Sequence, residues 1–441
     1  MAVKKDDKKT IFGWCMYDWA NSAYVTTVMT ALLPNYFALA IVGEKGIKVG
    51  NTLVSATSMW GYMVSFTAFL VFLFAPVLGS IADFSSAKKK FLMSFAYTGS
   101  LFAILLFFCQ TGDVWKTIIF FLVAQTGFVG GNIFYDAFLP QIASEKRIDW
   151  VSGKGFSYGY IGGGLQFAIA LSLVAGHEAI GISQGLAARI GISMAGLWWA
   201  GFTLFTLKYL GEAEAIEEIP EQYRSKPRFI AYAAIGISRT IATTKKVGRF
   251  KHLVLFLIAF MIYNDGIQTV INMATIYGTE ELRLSTTVLM VTLLVIQVIA
   301  AGGALLFSRL ADKIGTKYAV MLSLVLWSAV VTYAYFMQTA TEYFFLGVIV
   351  GIVLGGSQAL SRSLYGAMIP EKNSAEFYGF YSIFSKFSAI WGPLAFAVIR
   401  QVTGSGRLSI ISLMIFFIIG LILLFFVDEE KAKEAKLLGA F

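Results

Sequence analysis

Five ionisable side chains interrupt long apolar runs of the sequence: Asp18, Asp136, Asp265, Arg362 and Lys386. An ionisable group in a hydrocarbon core costs about 2.5–3.5 kcal/mol or more, so such residues serve binding, proton traffic or buried ion pairs. Arg362 carries the most specific chemistry, because a guanidinium presents five donors in a fixed fork that matches a carboxylate or phosphate. Ser361 and Ser363 flank it, and Gln358 lies one turn earlier on the same helical face. Arg362 is expected to clamp an anionic group of a solute. The competing reading pairs it with Asp136 or Asp265 in the resting protein, and a solute that displaces the carboxylate reconciles the two.

Asp18, Asp136 and Asp265 are candidate proton carriers, since a carboxyl in an apolar medium can load and release a proton during a cycle. Three acids against two bases leave one formal negative charge, available to a solute ammonium or a coupling proton. Asp18, Asn21 and Ser22 also offer hard oxygen ligands, which makes sodium the alternative coupling ion. Lys386 is expected either to reach the polar interior or to snorkel to the edge where Glu376 stands. Asn132, Tyr135, Tyr158, Tyr263, Asn264, Gln268, Gln297 and Tyr381 are further polar groups, each as well suited to a helix–helix contact as to a solute. His177 and His252 stand at the edges of apolar runs, and Cys15 and Cys109 read as small buried hydrophobes rather than a metal or disulfide framework. No nucleophile–base, metal, Walker or haem pattern is visible, so a protein without cofactor or enzymatic activity is expected.

Helices must position these groups. Of 441 residues, 57% are hydrophobic and 14% charged, against about 25% charged in an average soluble domain. A single soluble core stops growing at about 250–300 residues, so this much apolar surface needs another solvent. A polytopic α-helical membrane protein remains, and a soluble enzyme, a nucleic-acid binder and a secreted disulfide scaffold are excluded. A spanning helix needs about 20 mostly apolar residues. Twelve such stretches run near 12–42, 54–82, 91–110, 115–142, 155–176, 187–210, 252–278, 286–308, 317–338, 342–369, 377–402 and 408–427. The first continues through Trp19 and Asn21 and reads as a retained span, not a signal peptide. Of the 35 Lys and Arg, 26 fall in the termini, the even-to-odd loops and the central loop, and 7 on the opposite face. That excess is expected to place both termini in the cytoplasm, so the net charge of +9 is mostly a topology signal.

The central loop is acidic at Glu212, Glu214, Glu217, Glu218 and Glu221 and then basic. From Phe229 to Phe250 it alternates apolar and basic residues, as a helix on an anionic inner leaflet does, and a plain solvated linker is the alternative. The expected organisation is a six-helix bundle over 1–210, a linker over 211–251 and a second six-helix bundle over 252–441. The halves echo each other. G-S-I-A-D-F-S-S-A-K-K-K (79–90) returns as S-R-L-A-D-K-I-G-T-K (308–317), offsetting Asp83 from Asp312 by 229, and Pro140 is offset from Pro370 by 230. Gly155, Gly159 and Gly163 recur every fourth residue and suit close helix packing.

The repeated loop pattern resembles the signature of the major facilitator superfamily. Four more stretches are similar to its "unknown major facilitator" family, bacterial relatives of a fungal autophagy-related vacuolar effluxer. They are G-W-C-M-Y-D-W-A-N-S-A-Y (13–24), F-Y-D-A-F-L-P (134–140), G-Y-I-G-G-G-L (159–165), and G-G-S-Q-A-L-S-R-S-L-Y (355–365) with F-Y-G-F-Y-S-I-F-S-K (377–386). The resemblance implies twelve helices in two bundles around a midplane cavity lined by helices 1, 4, 7 and 10, which carry four of the five intramembrane charges. It implies alternating-access secondary transport, and amino-acid export for the fungal members. It assigns Asp83, Lys88 and Lys89, and Asp312, Arg309 and Lys313, to gating latches at the helix ends. The expected solute is a small polar carboxylate such as an amino acid, bound by Arg362, Asp18, Asn21, Asp136, Asp265, Gln268, Gln358 and Lys386, with Asp18, Asp136 and Asp265 coupling to protons. A carrier of sugars, nucleosides or amphiphilic drugs, or a lipid-handling protein, is the alternative. A monomer in the cell membrane is expected, with the bilayer, the solute and the coupling ion as partners.

Overall fold

The computed structural model describes residues 4–43, 46–50, 52–212, 219–247 and 250–437. Glu214, Glu217, Glu218, Lys45 and Arg249 lie outside the described residues. Among the described residues, twelve helices are long and apolar enough to cross a membrane: Lys8–Val42, Ala56–Ser85, Lys88–Phe108, Val114–Ile142, Ile148–Ala175, Gln184–Tyr209, Lys251–Glu280, Thr287–Ile314, Thr316–Phe336, Ala340–Met368, Glu371–Thr403 and Gly406–Phe425. They are called spans 1 to 12. A short antiparallel hairpin, Ile47–Val49 with Thr52–Val54, lies between spans 1 and 2. A linker helix, Arg228–Val247, and a terminal helix, Glu429–Leu437, complete the described elements used below.

Local chemistry starts and stops these helices. The Asp7 side chain accepts the Thr10 N–H at 2.8 Å, Ser183 and Ser285 cap spans 6 and 8, and Thr339 with Glu342 forms a capping box on span 10. Gly315 between spans 8 and 9 (φ 89°) and Gly404 between spans 11 and 12 (φ 68°) take backbone conformations that side chains disfavour. Span 1 widens into π-helical turns at Tyr24–Leu32 and Phe37–Val42, on either side of Pro34, which has no N–H to give.

The chain divides into two compact units. One comprises Met1–Ala75, Ser86–Asp136 and Tyr158–Glu214; the other comprises Pro76–Ser85, Ala137–Ser157 and Ala215–Phe441. This division differs from the boundaries at 210 and 251, because the end of span 2 and the 137–157 segment bond to helices of the later half. The sequence repeat reappears inside each unit. Glu212, just after span 6, accepts the Lys89 N–H that opens span 3 at 3.1 Å. Glu429, just after span 12, accepts the Lys317 N–H of span 9, also at 3.1 Å. In both, a carboxylate satisfies orphan donors at a helix N-terminus and complements its dipole. Lys317 adds Nζ bonds to the carbonyls of Phe425 (2.8 Å) and Val427 (2.6 Å).

Span 11, expected near 377–402, is present but interrupted. It consists of two half-helices, Ser374–Phe387 and Trp391–Thr403, separated at 388–390. Pro393 explains the break: its ring clashes with the carbonyl four residues earlier and it lacks an N–H.

Candidate functional site

The break in span 11 is built against span 7. Asp265, 2% exposed, accepts the Trp391 N–H on Oδ2 at 3.0 Å and the Gly392 N–H on Oδ1 at 2.8 Å. These are the first two donors of the second half-helix. The third position is Pro393, and the fourth donor, Leu394, reaches the Ile390 carbonyl. One carboxylate therefore completes the hydrogen bonding of a helix start inside a membrane span, where unsatisfied groups cost most. Asn264 donates to the Ser388 hydroxyl, and Ser388 donates to the Ser385 carbonyl at 2.6 Å. Gly392 is required by space: a Cβ there would stand 2.0 Å from Thr269 Oγ1 and 2.7 Å from Asp265 Oδ1. Lys386 ends the first half-helix, where the backbone dipole is negative and favours a cation. It is half-buried, and among the described residues its ammonium has no hydrogen-bond or ion-pair partner. Half-helix ends of opposite polarity, one holding a carboxylate and one a spare ammonium, are suited to bind a solute with an anionic group.

Around this break, Tyr263 and Ser361 hydroxyls join spans 7 and 10 at 2.7 Å, and Tyr381 stacks on Phe260 (4.4 Å) and Tyr365 (4.9 Å). Gln268 and Gln358 are half-buried on spans 7 and 10. Arg362, 3% exposed, reaches across to span 5. Its Nε and Nη2 donate to the Ser152 hydroxyl (3.0 Å) and carbonyl (2.9 Å), and its guanidinium lies 4.1 Å over the Phe156 ring. Asp265 does not pair with it, since both Asp265 oxygens serve span 11. Beside it, Asp149 accepts the Ser363 hydroxyl and the Thr316 hydroxyl (2.7 Å), tying span 5 to spans 9 and 10.

In the other unit, the motif around Asp18 meets the motif before Asp136. Tyr135 donates to Asp18 Oδ2 at 3.0 Å and stacks on Trp14 at 4.5 Å, while Trp14 Nε1 donates to the Tyr135 carbonyl at 2.8 Å. Asn21 donates to Asn132 Oδ1 at 2.6 Å. Span 5 closes on this pair through glycine: a Cβ on Gly159 would lie 2.7 Å from Ser22 Oγ and 3.3 Å from Asp18 Cγ. Asp136 is half-buried near the end of span 4.

The latch residues split. Asp83, 8% exposed, accepts the Ala375 N–H (3.2 Å) and the Glu376 N–H (2.8 Å), capping the start of span 11. Lys88 is buried, and Lys89 gives its N–H to Glu212. In the second repeat, Asp312 and Lys313 are exposed, and Arg309 lies 5.3 Å over the Trp150 ring. Sequence reasoning missed Ser152, Asp149, Ser388 and Gly392. The Gly392-Pro393 dipeptide within an apolar run was the available signal for the break.

The family model described as "Vacuole effluxer Atg22 like" matches residues 6–437. The uncharacterized MFS-type transporter YxiO of Bacillus subtilis strain 168 is 35% identical over 96% of this chain and 95% of its own length. Autophagy-related protein 22-1 of Phaeosphaeria nodorum is 24% identical over 88% of this chain and 79% of its own. Among solved structures, the proton:xylose symporter XylE aligns with TM-score 0.69 at 13% identity, covering 96% of this chain and 97% of its own. The human organic anion transporter MFSD10 aligns with TM-score 0.68 at 12% identity, covering 96% and 100%.

Proposed function

This chain belongs to the Atg22-like family of major facilitator transporters, and from that premise we propose that it moves a small carboxylate-bearing solute, an amino acid or similar zwitterion, coupled to protons. The observation that carries this reading is the spare Lys386 ammonium beside the break in span 11. Lys386 receives the solute carboxylate, a role in which no protein bond has to be broken first. Asp265 holds the second half-helix through two N–H bonds, so a proton arriving on that carboxyl competes with the helix start for the same oxygens. Protonation therefore loosens the half-helix, and that links proton binding to movement of span 11. Asp18, hydrogen-bonded by Tyr135, and Asp136 are the further proton carriers. Arg362 braces span 10 on span 5 until a solute anion competes for its fork.

The face rich in Lys and Arg, with both termini, lies in the cytoplasm, and the membrane is the cell membrane. The exposed Ile230, Ile237 and Ile241 of the linker helix, with Arg228 and Lys245, support its seat on the anionic leaflet there. Purified protein in liposomes, offered labelled amino acids, sugars and nucleosides with and without a pH gradient, tests the reading. Amino-acid flux that follows the gradient is expected; flux of sugars or nucleosides alone would overturn it.

A further inference from the structure

Where span 2 ends, span 11 begins and the linker helix crosses, one carboxyl group is left without a use. Glu376 is 0% exposed, and neither Oε1 nor Oε2 has a hydrogen-bond partner. Its backbone N–H, with that of Ala375, belongs to Asp83. The contact is close by design of the chain: a Cβ on Gly79 would lie 2.3 Å from the Ala375 carbonyl oxygen and 2.7 Å from the Glu376 nitrogen. The linker helix covers the same place. Gly236 lies on Ile81, Tyr232 meets the Phe84 ring edge-on at 5.9 Å, and Arg239 lies 4.7 Å over that ring.

The groups facing Glu376 can be taken helix by helix. Span 2 presents Asp83 and Ser80, the linker helix Arg239 and Thr243, and span 10 Tyr365, whose hydroxyl is given to the Phe377 carbonyl. Ser80 Oγ, and Thr240 Oγ1 on the linker helix, are likewise buried without partners. Two carboxyl groups thus face one guanidinium. Asp83, with two backbone N–H bonds at a helix start, is the group equipped to be the anion. An ionised Glu376 would be a second buried anion beside Asp83, with only the hydroxyls of Ser80 and Thr243 within reach to solvate it, a costly arrangement in a protein interior. A protonated Glu376 is neutral and can itself donate to the unused Ser80 oxygen.

We infer that this junction binds one proton, on Glu376, and that the bound proton holds span 11 and the linker helix closed on span 2. Loss of the proton sets Glu376 against Asp83 under the linker helix, and the start of span 11 leaves its cap. The site is separate from Asp18, Asp136 and Asp265, and it senses the solution on the basic face whatever solute is carried.

Hydrogen exchange of the full chain in nanodiscs reads the junction without any transport assay. The probe is the peptide holding the Ala375 and Glu376 amides, corrected for intrinsic exchange at each pH. Protection in the wild type is expected to fall as pH rises, by up to about tenfold per unit for one proton. Glu376→Gln, which mimics the protonated acid, should stay protected at every pH, and Glu376→Asp should keep a pH dependence. A flat wild-type profile, a Glu376→Gln profile that follows the wild type, or protection restored at high pH by sodium would each overturn the proton site. If Glu376→Gln fails to fold, the wild-type and Glu376→Asp profiles decide alone.

Discussion

Removing the Asp265 carboxylate isolates what holds the two halves of span 11 in register. Asp265→Ala leaves the Trp391 and Gly392 N–H groups without acceptors, since Pro393 and the Leu394 bond account for the other positions of that first turn. A buried donor left unsatisfied costs about 1–3 kcal/mol, so the pair amounts to about 2–6 kcal/mol. At a factor of ten per 1.4 kcal/mol, the half-helix should open about 30-fold to 10⁴-fold more often, up to the limit set by global unfolding. Asp265→Asn keeps one acceptor and turns an NH₂ toward the other N–H, so it should lose about 1–3 kcal/mol, or about 5- to 150-fold. Hydrogen exchange of the peptide over 389–396 measures the opening. The expected order of protection is wild type, then Asn, then Ala. Gly392→Ala should expose the same amides, because its methyl would stand 2.0 Å from Thr269 Oγ1. Equal protection in the wild type and Asp265→Ala would refute the assignment of Asp265 as the cap of the half-helix.

Two other perturbations follow from the geometry. Gly159→Ala should destabilise by about 1–3 kcal/mol in denaturant unfolding, because its Cβ meets Ser22 Oγ at 2.7 Å, and Ser22→Ala in the same chain should recover part of the loss; additive losses would contradict the contact. Burial pushes the Glu212 carboxyl above its ordinary value of 4.5, against the Lys89 and Lys88 N–H bonds that lower it. The folded state then holds that proton more tightly than the unfolded chain, so stability falls as pH rises from 4.5 through the folded value and is level beyond it. Glu212→Gln should therefore gain stability relative to the wild type as pH rises above 4.5 in unfolding measurements, and a relative loss over that rise would reverse the sign.

Much of this molecule was legible from composition and spacing. A membrane span announces itself because about 20 apolar residues have no other stable use, and all twelve expected spans correspond to helices. The intramembrane position of Asp18, Asp265 and Lys386 was visible for the same reason. Their partners were not. Asp265 finds Trp391 and Gly392 across 126 and 127 positions, and Arg362 finds Ser152 across 210. Nothing in periodicity distinguishes Ser152 from any other serine on a helix. The two copies of the repeat differ in burial. Asp83 and Asp312 share a motif, yet Asp83 is buried on the start of span 11 while Asp312 is exposed. At the second junction Asp149 of span 5, outside the motif, takes the hydroxyls of Ser363 and Thr316.

Paired flux of an amino acid and its carboxamide through wild-type and Lys386→Gln proteoliposomes bears most directly on how the solute is held. Lys386 has no partner among the described residues, so its replacement should leave folding intact, as exchange and unfolding can verify. The wild type is expected to carry the amino acid well and the carboxamide poorly. Lys386→Gln should lose amino-acid flux, and Lys386→Arg should retain part of it. Wild-type flux of acid and amide at equal rates, or full amino-acid flux through Lys386→Gln, would contradict recognition of the solute carboxylate at the break in span 11.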